Sequence, residues 1–208
     1  MNIPIGFTLN GKTKIFANQY LVTEFFSFGV PIFPVNSYFV NDENGLRIKI
    51  PISKNSLSTF YLGGTLTWLG CILFGCSWML ATELKDRFVV SYIEFLPFIS
   101  SFSILTFGLY NYFIKAKPTR REIKKRTVLQ MATGINALPS WLGTSEAIKM
   151  YDSLKVHYPI DWKSLIKNQN YENTDFYRLF SLISYESYLN PSVENIELMK
   201  KMEVVFYR

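Results

Sequence analysis

Two runs decide the fold: Leu57 to Ala81, LSTFYLGGTLTWLGCILFGCSWMLA, and Phe88 to Ile114, FVVSYIEFLPFISSFSILTFGLYNYFI. The first has 25 residues and no charge, and the second has 27 residues with Glu94 as its only charge. A bilayer hydrocarbon core of about 30 Å takes about 20 apolar helical residues, so each run is long enough to cross. The alternative is a pair of core helices in a soluble protein, and the roughly 150 other residues make a poor cover for two such helices. The expectation is a two-helix transmembrane hairpin, 57–81 and 88–114, within a segment 57–117.

Charge placement orients the hairpin. Just after the second run stand Lys115, Lys117, Arg120, Arg121, Lys124, Lys125 and Arg126, against one acid, Glu122. The connecting stretch Thr82–Arg87 carries only Lys85 and Arg87 as bases. The positive-inside rule counts Lys and Arg near helix ends, so both termini are expected in the cytoplasm of a multi-pass protein of the cell (inner) membrane. The same seven bases would meet lipid headgroups, each contributing about 1 kcal/mol beside an anionic leaflet. No apolar stretch resembling a signal peptide precedes Lys12, so insertion is expected through the hairpin itself.

Before the hairpin, residues 1–56 read as a small antiparallel β module. Asn10-Gly11 between two short apolar runs signals a hairpin turn. Tyr38–Val40, then Asn41–Gly45, then Leu46, Ile48, Ile50 and Ile52 alternating with polar residues suggest a second hairpin. Tyr20–Val40 is long and aromatic enough to be a third span, but Pro31 and Pro34 disfavour a helix. Strands flanking a proline-containing turn, pressed on the membrane surface, are the better expectation.

After the hairpin, residues 118–208 read as an all-α cytoplasmic domain. Helices are expected near 119–132, 144–157, 161–168, 174–189 and 192–206, with Thr119, Thr144, Asp161, Thr174 and Ser192 as N-caps. Thr119 and Glu122 have capping-box spacing. The whole is an α+β membrane protein.

Within the first span, Gly63, Thr67, Cys71 and Gly75 recur every four residues, a small-residue stripe that lets another helix approach. Its partner is either the second helix of the same chain or another subunit or protein. Glu94 is the one ionisable residue in the spans and a candidate for an ion pathway if it lies within the hydrocarbon. Two turns from the loop, it reads rather as an interfacial residue if the span starts near Phe95.

Catalytic patterns are scarce. Gly6–Thr13, GFTLNGKT, matches the phosphate-binding pattern G-x-x-x-x-G-K-[ST] letter for letter. That motif needs a strand before the loop and a helix after it, and here Phe7 and Leu9 alternate as in a strand. His157 is the sole histidine; no zinc-like spacing exists, and no metal, cofactor or catalytic residue is expected. Cys71 and Cys76 are five residues apart, about 140° around one helix, so they cannot pair within it. The basic cluster abuts a membrane, which accounts for it without nucleic acid. The expected role is protein–protein interaction, as an adaptor, an assembly subunit or an immunity-type protein against a membrane-acting toxin. Alternatives are an oligomeric ion or proton transporter using Glu94 and, more remotely, nucleotide binding through Gly6–Thr13.

Overall fold

The computed structural model describes residues 5–28, 30–84, 92–157 and 161–207; the side chains of 81, 83, 84, 92–95, 173 and 174 fall outside that description. Strands β1 (Ile5–Phe16), β2 (Gln19–Phe28), β3 (Val30–Asn41) and β4 (Leu46–Ile50) form one four-stranded antiparallel sheet in chain order. The first turn is not where Asn10-Gly11 suggested. It lies at Ala17-Asn18, whose φ of 47° and 55° are both positive, as a two-residue hairpin turn of type I′ requires.

Gly11 marks a bulge instead. Asn10 faces Thr23 and Thr13 faces Leu21, so three steps on β1 oppose two on β2. Gly11 has φ +70°, and a Cβ there would lie 2.4 Å from the Ser56 carbonyl oxygen, so only glycine fits. Gly6–Thr13 is therefore extended strand, with no loop opening onto a helix and no convergent backbone amides. The second hairpin forms as read. Gly45 closes its turn at φ +67°, and Asn41 and Asn44 side chains accept the Glu43 and Leu46 amides at 3.0 Å each. Tyr20–Phe28 and Val30–Val40 are strand, with Pro31 and Pro34 inside β3 rather than in a turn. β4 has 5 residues against 12 in β3. The first half of β3 is thus a sheet edge, the place where a strand tolerates proline.

Helix begins at Ser53, whose hydroxyl accepts the Ser56 amide. α1 (Lys54–Ser58), a π-helical stretch Thr59–Thr65 and α2 (Leu66–Leu84) follow without a break. Lys54–Leu80, 27 residues containing an 18-residue window of mean hydropathy 1.4, is long and apolar enough to cross a membrane, and is the one such helix among the described residues. α3 (Tyr92–Tyr110) continues as a π-helical turn, Asn111–Lys115; 88–91 of the expected second span lie outside the described residues.

α2 and α3 pack antiparallel at close range. A Cβ on Gly63 would stand 3.0 Å from Tyr112, one on Gly70 2.7 Å from Leu105, and one on Gly108 2.6 Å from the Thr67 nitrogen. Phe74 and Phe98 rings meet edge to face at 5.7 Å. Buried small residues line the contact at Gly63, Gly70 and Ser77 on one helix and at Ser101 and Gly108 on the other. Both sets step by seven, the repeat that keeps one seam facing a partner along a helix pair.

The remaining chain is helical: α4 (Arg120–Thr133), α5 (Thr144–Lys155), α6 (Trp162–Asn168), α7 (Asn173–Leu189) and α8 (Val193–Phe206), with a 3₁₀ turn at Pro139–Trp141. Thr119 and Ser192 cap their helices as expected, accepting Glu122 and Asn195 amides. α5 and α7 are capped at Gly143 and Glu172 rather than at Thr144 and Thr174. α7 is the central element, with Leu179, Phe180, Leu182, Ile183 and Tyr185 all at 0% exposure.

Compactness divides the chain into two units. One comprises Met1–Tyr38 and Ile52–Pro118, the other Phe39–Pro51 and Thr119–Arg208.

Candidate functional site

In the first unit, hydrogen bonds hold the strands alongside the helix pair. Ser56 Oγ donates to the Gly11 carbonyl at 2.7 Å. The Thr13 hydroxyl and the Lys14 amide both donate to the Ala116 carbonyl, at 3.1 and 2.7 Å, satisfying an orphan acceptor at the end of a helix. The Ser53 amide donates to Ser37 Oγ at 2.9 Å, and Ser37 and Thr23 share a hydroxyl bond of 2.7 Å. Farther along, Phe25 packs on Phe60 and Tyr61 with ring centres 4.3 and 5.9 Å apart. Tyr61 Oη then donates to the Ile32 carbonyl at 3.0 Å.

These contacts follow the helix upward from Ser56, so the β2–β3 end of the sheet stands beside the helix two to three turns above its start. Between them is a groove of about 780 Å³. Val30 and Pro31 contribute one wall; Phe60, Tyr61, Trp68 and Tyr112 contribute the other. Gly64 opens onto it without a side chain, and Asn10 and Thr65 are its polar members besides the tyrosines. Among the described residues no charged side chain lines it. Its volume and lining suit a small apolar or amphipathic ligand, and it holds no acid–base pair.

The second unit holds the buried charged residues Glu186 and Arg126 in hydrogen bonds. The Glu186 carboxylate receives Lys163 Nζ at 3.3 Å and Asn195 Nδ2 at 3.4 Å, and Lys163 also donates to Asn195 Oδ1 at 2.9 Å. Burial pushes the Glu186 carboxyl up, but the Tyr151 hydrogen bond and the Lys163 charge outweigh it and leave the group below its ordinary value. Burial, and then the hydrogen bond to Glu186, push the Tyr151 hydroxyl upward. Arg126 is fully buried. Its Nε donates to the Asn136 carbonyl at 2.9 Å, its Nη2 to Asn136 Oδ1 at 2.6 Å, and its guanidinium lies 4.9 Å from the Trp141 ring centre. Burial lowers its pKa to about 10, partly offset by Glu122. A smaller surface hollow of about 210 Å³ lies among Leu129, Leu138, Phe180, Tyr188 and Met199.

Of the expected stripe, Gly63 and Thr67 lie against α3, at Tyr112 and Gly108. Cys71 is exposed and Gly75 has nothing within 4 Å of a Cβ. The close contact passes through Gly70, one residue short of the four-residue stripe. Of the basic cluster, Lys115, Lys117, Arg120, Arg121 and Lys124 are exposed, Lys125 pairs with Glu203, and Arg126 is turned into the core. The Glu94 side chain lies outside the described residues. Among the described residues no three His, Cys, Asp or Glu side chains converge on a metal-sized site.

The groove itself was not visible in the sequence. Phe60, Tyr61 and Trp68 read there as span residues, and nothing local brought Val30-Pro31 to them. No protein family, no curated protein and no solved structure matches the chain.

Proposed function

We propose that the chain is a two-pass protein of the cell membrane, both ends cytoplasmic, that works by binding a protein partner or a second copy of itself rather than by catalysis. The observation that carries the two-pass reading is the seam. α2 belongs to a helix fit to cross a bilayer, and α3 lies antiparallel along it from Gly63–Tyr112 to Phe74–Phe98. A helix packed lengthwise on a membrane span occupies the same slab of hydrocarbon. Its described outer residues are suited to that medium: Leu96, Ile99, Phe102 and Phe107 are all more than half exposed, and exposed apolar side chains of this kind are stable in lipid.

The binding role is supported by where the buried charges lie. Glu186 is held in bonds that join α7 to α6 and α8, and Arg126 in bonds that tie α4 to the segment after it, which reads as construction of a rigid display surface. Lys115 and Lys117 end the helix pair on the side where an anionic leaflet would attract them.

Two measurements test the proposal. Single cysteines in a Cys71→Ser, Cys76→Ser background are probed with a membrane-impermeant maleimide in intact cells. Lys85→Cys should label from outside and Lys117→Cys only after the membrane is opened; the reverse pattern removes the orientation. Crosslinking in mild detergent should recover a partner or a homo-oligomer at defined stoichiometry. A chain that stays monomeric and partnerless removes the interaction role.

A further inference from the structure

We infer that the groove between the β2–β3 end of the sheet and the first helix is a site for one acyl chain of an anionic phospholipid, taken from the leaflet around it. The inference rests on the two-pass reading above. At about 1.5 Å per residue, Phe60 stands about 6 Å and Trp68 about 18 Å along the helix from Ser56. One leaflet contributes about 15 Å of hydrocarbon. The charge-free run begins at Leu57, so the groove lies at acyl-chain depth.

The strand wall is built for that depth. No charge occurs from Ile5 to Gly11 or from Phe25 to Val40. Ile5, Phe7, Val30 and Phe33 are 63–65% exposed, which water penalises and hydrocarbon does not. A sheet edge in lipid is normally excluded because its backbone groups lack partners. Here Pro31 and Pro34 bring no N–H to the edge strand, and Tyr61 Oη serves the Ile32 carbonyl. Water in an apolar groove at this level is disfavoured, and a void would forfeit wall contacts. The surrounding leaflet supplies an apolar chain at high local concentration.

Charge selects the headgroup. The groove's Asn10–Gly11 end leads directly to Lys12. Thr13 and Lys14 bond to the end of the helix pair, where Lys14 Nζ also reaches the Lys117 carbonyl at 3.4 Å and Lys115 is exposed. A neutral apolar cleft beside a collar of lysines matches a molecule with an apolar tail and a negative head.

The test uses the full chain in vesicles doped with phosphatidylglycerol or phosphatidylcholine bearing a diazirine on one acyl chain. Expected crosslinks concentrate on Val30–Pro31 and Phe60–Trp68, at least about threefold more with phosphatidylglycerol. Gly64→Phe places a ring in the open groove and should cut that labelling at least about fivefold. Gly75→Phe, the same change at an equally open glycine outside the groove, should leave it unchanged. Lys12→Gln, which leaves the walls intact, should narrow the preference for phosphatidylglycerol. Labelling spread evenly over exposed residues such as Trp78 and Met79, or indifferent to Gly64→Phe, means ordinary surrounding lipid and overturns the site. Equal labelling from both lipids overturns the headgroup assignment. Lipid labelling of Val30–Pro31 that appears only after a copurifying polypeptide is removed overturns the occupant. Flotation after alkaline washing separates the two levels: a chain that does not float with the vesicles fails the two-pass reading itself. A chain that floats but shows no groove preference fails only the lipid site.

Discussion

Gly70→Ala and Gly75→Ala are the same chemical change five residues apart on one helix, and the structure gives them opposite signs. At Gly70 the new methyl would lie 2.7 Å from the Leu105 Cα and nitrogen. Comfortable carbon–carbon contact is about 3.5–4.0 Å, and these are backbone atoms, so the helices must part by about 1 Å. Overpacking of this kind costs about 1–3 kcal/mol. Against it stands the gain of about 0.5–1 kcal/mol when alanine replaces a helical glycine. The net is a loss of up to about 2.5 kcal/mol. At Gly75 nothing lies within 4 Å of the methyl, so only the gain of about 0.5–1 kcal/mol remains. Thermal unfolding of the purified protein in one mild detergent reads both. At about 2–4 °C per kcal/mol for a chain of this size, Gly70→Ala should lower Tm by several degrees and Gly75→Ala raise it slightly. Gly108→Ala, 2.6 Å from the Thr67 nitrogen, should follow Gly70. A Gly70→Ala protein as stable as Gly75→Ala would refute the close seam. A marked loss at Gly75 would instead restore the four-residue stripe as the working interface.

Other consequences can be checked alongside. Arg126→Met removes the donors to Asn136 and leaves its buried acceptor and the Glu122 carboxylate without that cation, so the second unit should lose about 3 kcal/mol; limited proteolysis of the C-terminal region should accelerate accordingly. Glu186→Gln should cost about 1–2 kcal/mol at neutral pH, since it removes the charge facing Lys163. The folded Glu186 carboxyl lies below its unfolded value, so its contribution is present above the ordinary glutamate pKa and lost as pH falls through the depressed one. Wild type should therefore converge on Glu186→Gln in acid unfolding curves, and a constant gap from pH 7 down to 3 would contradict the network. If the hairpin is an anchor, liposomes holding wild type or Glu94→Gln should show the same ion leak as empty ones; a flux lost only in the mutant would establish an ion path.

The helical unit was legible because its signals are local. Thr119 with Glu122, Ser192 before Val193, and apolar residues at helical spacing each act within a turn or two. The Asp42–Gly45 turn was legible for the same reason. Asn10-Gly11 misled because its chemistry permits positive φ without saying what the chain does next. The same glycine that would serve a two-residue turn also serves a bulge, and Ser56, 45 residues away, holds it there. The seam was half legible: small residues announced close packing, but a four-residue and a seven-residue reading share Gly63, and only the position of Leu105 selects Gly70. The groove depends on Val30-Pro31 meeting Tyr61 and Trp68, a contact that no spacing within either segment encodes.

The bond from Thr13 to the Ala116 carbonyl joins positions 103 residues apart. Synthesis at about 5–20 residues per second puts about 5–20 s between the emergence of its two ends. The first strand leaves the ribosome early, yet its last anchor is the final residue but two of its unit. Through that interval β1 has β2 and, once the first helix has emerged, Ser56, but not the second helix. Completion of the first unit is therefore timed by arrival of the second helix. A ribosome paused before Ala116 would hold a chain whose opening strand has its β2 register and the Ser56 bond but lacks the Thr13 and Lys14 bonds to the end of the second helix. The latch makes the end of the hairpin a checkpoint for its beginning.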